Sequence, residues 1–320
     1  MRLETCFCYN RAALKKSLVG EAPLFFEGSE KKVEIFLREG PSIRPDRSRW
    51  EQVVAQANAT ILSTISNEHF DAYLLSESSL FVYDDRVVMI TCGTTTLAKA
   101  ITAMMAFIPR ERIEFLMYER KNEQQPDAQP SVFDEDADLL QKHLPGAVFR
   151  FGKDRGNHVF LFHYHTEDFV PAAEDMTMEI LMHDLADSVV DIFHCRHSPR
   201  EIHTRTGIDK IFPGFTCDDH IFSPMGYSLN AIGDDEYYTF HVTPESGFSY
   251  ASFETNHLFT NDLDRTVNKV LDIFQPASVA LLLFQTQGLP LPKPRGYQSR
   301  GRTDLVSCGF NVNFEDFMRT

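Results

Sequence analysis

Five stretches of this chain place serine, cysteine, histidine and glutamate where side-chain chemistry could be done. The first is Leu75-Ser76-Glu77-Ser78-Ser79, a polar pentad between the apolar runs Ala72-Tyr73-Leu74 and Leu80-Phe81-Val82. By composition alone it reads as a turn or a solvated strand edge. Cys92 stands fifteen residues after Glu77, between a β-rich run and a helix start at Thr94 or Thr95. Far downstream, Phe222-Ser223-Pro224-Met225-Gly226-Tyr227-Ser228 and His241-Val242-Thr243-Pro244-Glu245 add a serine, a histidine and a glutamate. Near the start, Phe25-Phe26-Glu27-Gly28-Ser29-Glu30-Lys31 adds aromatic rings and two carboxylates. Hydroxyls, a thiol and an imidazole that titrates near neutrality are the parts of nucleophilic and acid–base catalysis. One reading is a hydrolase triad with Ser78 or Ser228 as nucleophile, but no G-x-S-x-G elbow precedes a helix. Cys92 by itself also reads as a small buried hydrophobe at a strand end.

Together the five stretches resemble the eukaryotic-type S-adenosylmethionine decarboxylases, enzymes that cut their own chain to make a pyruvoyl cofactor. The resemblance spans roughly residues 24–285 and places the cut between Glu77 and Ser78. It implies one domain over 1–320, divided into a β chain of 1–77 and an α chain of 78–320. Decarboxylating an α-amino acid leaves a carbanion at Cα, and an electrophilic carbonyl joined to the substrate amine as a Schiff base accepts that electron pair. The Ser78 hydroxyl would attack the Glu77 carbonyl to give an ester. Loss of the Ser78 α-proton would expel the Glu77 carboxylate, and the dehydroalanine left behind would hydrolyse to pyruvoyl and ammonia. Ser228 matches the family residue facing the charged tetrahedral intermediate, and His241 matches the base of the elimination. Cys92 matches the proton donor to Cα, a role that suits a thiol of ordinary pKa. Phe26 and Phe222 match the rings that sandwich adenine, Glu245 matches the carboxylate on the ribose hydroxyls, and Glu27 and Glu30 line the same site. The implied product is decarboxylated S-adenosylmethionine for spermidine and spermine synthesis, made by a homodimer of αβ units. A non-catalytic paralogue paired with an active subunit, or a pyruvoyl decarboxylase of another amino acid, stays open beside it.

The resemblance also implies a second site. Animal members are activated by putrescine in an acidic pocket, and Glu34, Asp175, Thr177, Glu179 and Glu254 match its lining, with Phe284 packed beside it. Clustered carboxylates inside a fold need a cation to relieve their repulsion, so a diamine is a sensible ligand. The family lysine two residues before the catalytic cysteine is replaced by Ile90, so another group must balance these acids.

The whole chain bounds these readings. Its 320 residues, 43% hydrophobic, can bury a large core. A net charge of −15 argues against a nucleic-acid surface while favouring polycations. No run of eighteen apolar residues spans a membrane, and Met1-Arg2-Leu3-Glu4-Thr5 is no secretory signal. Six cysteines without regular spacing read as reduced thiols in a cytoplasmic protein. His158, His163, His165, His194 and His197 raise the question of a metal. Strand alternation puts His163 and His165 on one face without a third ligand, so no metal is expected.

The elements that must position these residues follow from hydrophobic period and punctuation. Residues 1–22, with Cys6-x-Cys8, read as a loose arm. Pro23–Leu37 is a strand with Phe26, Val33, Ile35 and Leu37 inward, and Ser48 caps a helix reaching Ile61. Strands at Tyr73-Leu74, Leu80–Val82 and Val87–Ile90 lead to a helix ending at Ile108. Further strands fall at Ile113–Tyr118, Ala147–Phe151, His158–His165 and, following the family resemblance against propensity, Met176–Met182. Helices fall at Phe133–Leu144 and Leu185–Phe193. In the second half, strands at Tyr227–Ile232, Tyr237–Val242 and Phe248–Phe253 precede a helix from Leu263 to Phe274. A strand at Val279–Phe284, a mobile loop at Gly288–Arg302 and a strand at Leu305–Val312 finish the chain. Strand–turn–strand–helix thus occurs twice, at 73–108 and 227–274, an internal duplication. The fold class is α+β: an α/β/β/α sandwich of two mainly antiparallel sheets with helices outside.

Overall fold

A computed structural model describes residues 26–153, 156–245 and 247–320. The expected arm at 1–22 and the first residues of the expected opening strand lie outside these. The first sheet holds β1 (Lys31–Leu37), β2 (Ile61–Ser66), β3 (Phe70–Leu75), β4 (Ser78–Tyr83), β5 (Arg86–Thr91), β6 (Ile113–Lys121), β7 (Ala147–Gly152) and β8 (His158–His165). The second holds β9 (Met176–His183), β10 (Thr216–Ile221), β11 (Tyr227–Gly233), β12 (Glu236–Thr243), β13 (Tyr250–Thr255), β14 (Ser278–Gln285), β15 (Tyr297–Ser307) and β16 (Phe310–Arg319). Neighbouring strands pair antiparallel throughout. Their orders are β2-β3-β4-β5-β1-β6-β8-β7 and β10-β11-β12-β13-β9-β14-β16-β15. The second order is the first with eight added to each number, so the expected duplication is present in the topology.

Alternation along each strand sorts side chains into layers. In β1, Val33, Ile35 and Leu37 join a core with α1 (Arg47–Gln56), α2 (Leu97–Met104) and α3 (Phe133–Gln141) outside the first sheet. The second sheet buries Leu229, Phe240, Phe253 and Leu281 against α4 (Asp187–Val190), α5 (Pro199–Thr206) and α6 (Leu263–Phe274). The opposite faces meet each other, with Phe81 stacked on Tyr237 at 4.1 Å and Leu181, Leu282 and Phe314 packed among Phe115, Met117 and Leu161. This sheet–sheet layer is where the polar residues of interest collect. Val33, Ile35 and Leu37 therefore face the helices, and their neighbours Lys32 and Glu34 take the layer between the sheets.

Several element boundaries differ from the sequence reading, each for a local reason. β1 begins only at Lys31, leaving residues 26–30 as loop. The first helix is Arg47–Gln56, preceded by Asp46 rather than capped by Ser48; Asn58 at φ +62° ends it, and Ile61 opens β2. The second is shorter than expected, Leu97–Met104, and follows Thr96. Leu185–Phe193 contains only one helical turn, Asp187–Val190, and a 3-10 turn. Ser198 and Glu201 form a capping box, with Pro199 at the first helical position, that starts the unexpected α5. The expected loop at Gly288–Arg302 already belongs to β15 from Tyr297. The expected strand Leu305–Val312 is instead the tip of the β15–β16 hairpin, with Cys308 and Gly309 at φ +54° and +83°. Met176–Met182 is indeed a strand: β9 is central and buried on both faces, and burial overrides its helical propensity.

Candidate active site

The pentad forms the β3–β4 hairpin, in which Ser78 pairs with Leu75 on one side and Thr91 on the other. Ser78 carries φ +116°, a conformation that L-residues avoid and that stores about 1–3 kcal/mol of strain. The Glu77 carbonyl accepts the Cys92 backbone N–H at 3.1 Å. The Ser78 hydroxyl donates to Cys92 Sγ at 3.3 Å. Burial pushes the Glu77 carboxyl up to about 7, and its buried Oε2 has no hydrogen-bond partner among the described residues. Burial also drives the Cys92 thiol far above its ordinary range, with Glu77 adding to the effect, so the thiol keeps its proton at neutral pH. Gly93 closes this corner. At φ +67°, any Cβ there would come within 3.0 Å of the Phe26 ring and 3.1 Å of Glu77 Oε2.

His241 lies in the next shell of the same corner. Its Nδ1 is 2.6 Å from Glu30 Oε1, which also accepts the Ser252 hydroxyl at 2.7 Å. A carboxylate can only accept, so Nδ1 holds the proton and Nε2 presents its lone pair. Burial would raise Glu30, yet the His241 ring holds it below the usual carboxylate range, helped by Lys121 and Ser252. Nε2 is 2.8 Å from Ser79 Oγ and 3.1 Å from Thr239 Oγ1, and Ser79 reaches Asn230 Oδ1 at 2.6 Å. Glu30, His241 and Ser79 thus line up as carboxylate, imidazole and hydroxyl, but Ser79 is fully buried, so no outside acyl group can reach it. The histidine meets Ser79 and not Ser78. Ser228 sits opposite His241 in register and is buried, but among the described residues it makes no hydrogen bond to Glu77 or Ser78.

The residues matched to the substrate lie at the rim. Phe26 is 37% exposed, and its N–H donates to Glu245 Oε1 at 2.8 Å. Burial raises the Glu245 carboxyl above its ordinary value. Glu27 is engaged from behind, its Oε2 accepting the backbone N–H groups of Gln124 and Gln125 at 2.9 and 3.0 Å. Phe222 lies in the loop of the cis Ser223–Pro224 bond, edge-on to His220 at 4.8 Å.

The acids matched to the second site do come together in the sheet–sheet layer, and they come with cations that sequence reading missed. Lys32 Nζ is 2.9 Å from Glu179 and 3.0 Å from Glu254, all three buried. Lys121 reaches Glu179 at 2.8 Å and Glu119 at 3.5 Å. Arg86 Nε donates to Glu34 at 2.6 Å, and its guanidinium lies 3.9 Å from Asp175. Thr177 and Phe284 are buried register partners across β9 and β14. Burial works against Lys32's charge, but Glu179 and Glu254 hold its pKa well above the lysine range. Burial, reinforced by Glu179, pushes Glu119 up to about 8. A signal was present: Lys32 alternates with Val33 and shares a face with Glu34. Lys32 also pairs in register with Ile90, the position where the expected family lysine is absent.

Comparison with known proteins follows the same lines. Residues 23–302 match the sequence model of a family described as adenosylmethionine decarboxylase. The chain is 35% identical over 297 residues to the S-adenosylmethionine decarboxylase proenzyme of Dictyostelium discoideum, covering 84% of this chain and 77% of that one. It is 37% identical over 281 residues to the proenzyme of that name from Caenorhabditis elegans, covering 81% and 76%. Among solved structures, the Trypanosoma brucei AdoMetDC-delta26 monomer shares the fold. Its TM-score is 0.60 at 23% identity, covering 75% of this chain and 99% of that one.

Proposed function

The chain belongs to the adenosylmethionine decarboxylase family, and we propose that it decarboxylates S-adenosylmethionine for polyamine synthesis with a pyruvoyl group made from its own Ser78. One observation carries this reading: a strained Ser78 follows a carbonyl already held by an amide donor, with a protonated thiol beside it. Attack of the Ser78 hydroxyl on the Glu77 carbonyl breaks the C–N bond and forms an ester. The Cys92 N–H stabilises the charge that gathers on the carbonyl oxygen meanwhile. Removing the Ser78 α-proton then expels the Glu77 carboxylate, and hydrolysis of the dehydroalanine releases ammonia. His241 supports that elimination, its ring aligned by Glu30 and its Nε2 in contact with Ser79, the residue that follows Ser78. Strain at Ser78 is released when the bond breaks, which favours cleavage over religation.

The pyruvoyl carbonyl supplies a sink for the electron pair left at Cα when carbon dioxide departs. The chain's residues do the rest. Cys92 returns the proton, because burial and Glu77 keep it a thiol. Phe26 offers a ring face at the rim, Phe222 a second, and Glu245 a carboxylate for the ribose hydroxyls. Glu27 serves by anchoring the Gln124–Gln125 backbone behind that rim.

The acidic pocket bears on regulation. Lys32, Lys121 and Arg86 already provide three positive charges to Glu34, Asp175, Glu119, Glu179 and Glu254. We propose that these side chains stand in for a diamine, so the enzyme works without putrescine. The working unit is proposed to be a cytoplasmic dimer of two-chain units. No helix among the described residues is long and apolar enough to cross a membrane. Release of labelled carbon dioxide from S-adenosylmethionine but not from ornithine is the expected result. Release from ornithine, or from neither, would defeat the assignment.

A further inference from the structure

The histidines of β8 acquire in three dimensions the third donor that the sequence did not show. His163 and His165 share the inner face at the edge of the first sheet, paired with Met117 and Phe115. The β15–β16 hairpin of the second sheet brings Cys308 over them, and the donor atoms of all three lie within 4.8 Å of one another. Cys308 Sγ is 3.3 Å from His163 Nδ1. A tetrahedral ion about 2.3 Å from sulfur and about 2.0–2.1 Å from nitrogen would hold those two atoms roughly 3.5 Å apart.

The His165 ring is presented in the tautomer that a metal needs. The Thr166 carbonyl, 3.0 Å from His165 Nδ1, can only accept, so Nδ1 carries the proton and Nε2 keeps its lone pair. His163 Nε2 lies 3.3 Å from the Ser307 hydroxyl, and Nδ1 faces the sulfur; with Nε2 donating to that hydroxyl, Nδ1 has its lone pair for a metal. Phe149 stacks on His163 at 5.2 Å and 8°, fixing the plane of the ring. The backbone offers an independent sign. The two-residue turn Cys308-Gly309 demands positive φ at both positions, where Asn or Gly is the ordinary choice, yet a cysteine stands at φ +54°.

We propose that His163, His165 and Cys308 form a zinc-class transition-metal site that clasps the second sheet's terminal hairpin to the edge strands of the first. Two imidazoles and one thiolate suit a borderline-soft ion such as Zn²⁺, with water as fourth ligand. Binding forms one metal–sulfur and two metal–nitrogen bonds and sends the thiol proton to solvent. Strands β5, β1 and β6 separate β8 from Ser78 on β4, and the site serves cohesion between the sheets, not turnover.

The test uses full-length protein without a histidine tag, dialysed against chelator and titrated with Co²⁺ and then Zn²⁺. The expected result is one Co²⁺ per chain with the intense visible bands of a tetrahedral, thiolate-bound ion, displaced by Zn²⁺, and a Zn²⁺-dependent rise in Tm. Cys308→Gly is the decisive variant, because glycine relieves the positive φ and the fold should be kept. It should lose the sulfur-to-cobalt band and weaken binding at least tenfold, as should His165→Ala. Absence of stoichiometric binding, or spectra and affinity unchanged in Cys308→Gly, would reduce the cluster to a thiol–imidazole hydrogen bond and overturn the proposal.

Discussion

Around His241 the layer between the sheets holds hydroxyls, an amide, one imidazole and one carboxylate, whereas two residues further along the same strands it holds five acids and three cations. The clusters are neighbours in sequence: Glu30 precedes Lys32 and Glu34 at β1, and Ser252 precedes Glu254 on β13. In the first, hydroxyls that can both give and take a proton surround the imidazole, so protons can shift at little cost. In the second, buried charges are fixed by opposite charges, and removing one strands the others. One region is built to move protons and the other to hold charge still. Lys121 links them, since it pairs with Glu179 and also lowers Glu30.

Substitutions sharpen this contrast, and the largest effect belongs to the proton-moving side. Ser78→Ala should remain one uncut chain on denaturing electrophoresis, with turnover below detection, because the hydroxyl that starts the chemistry is gone. His241→Ala should slow cleavage by about 10²–10⁴-fold, the usual worth of a positioned base. A pulse-chase of the two fragments measures it, and wild-type cleavage kinetics would separate the imidazole from the chemistry. On the charge-holding side, Lys32→Met leaves Glu179 and Glu254 facing each other. It should cost about 3–5 kcal/mol of stability in urea titration. Putrescine should restore part of that loss in the variant while leaving wild-type cleavage and turnover unchanged; strong wild-type activation by putrescine would break the contrast. Phe26→Ala should raise KM about two- to tenfold with a smaller change in kcat, as expected for a lost stacking surface worth about 0.5–1.5 kcal/mol.

The smallest effect is a pH dependence. Glu119 has its folded pKa near 8, above its unfolded value of 4.5, from burial and the neighbouring Glu179. The folded state then holds a proton that the unfolded chain releases. Its contribution to stability is present below about pH 4.5 and is lost as pH rises towards 8. Glu119→Gln mimics the protonated form. Its Tm should match wild type near pH 5 and exceed it by a few degrees above pH 8; an equal difference at both pH values would place the proton elsewhere.

The strands were legible where alternation survives, as at Tyr237–Val242, or where a short apolar run is bounded by turn residues, as at Val87–Ile90 after Asp84-Asp85. Long-range pairing decided what local pattern could not. β15 is exposed along most of its length, so it shows no apolar alternation, and its hairpin turn was hidden in Cys308-Gly309. The first helix ran too far because Asn58, a left-handed stop, looks like any polar residue in sequence. The capping box at Ser198 was readable and overlooked. In the site, Cys92 beside Ser78 could be matched from sequence, but its backbone N–H on the Glu77 carbonyl is a product of β4–β5 register. Lys32, Lys121 and Glu119 were missed because charges in strands, here in Lys31-Lys32 and Glu119-Arg120-Lys121, resemble solvated faces until a second sheet covers them.

The central claim is that Ser78 becomes a ketone by cutting its own chain, and intact-mass spectrometry of freshly purified, denatured protein tests it most directly. Two fragments are expected, 1–77 and 78–320, the larger gaining the mass of a hydrazone when treated with a hydrazine. A single 320-residue chain inert to the reagent would contradict it.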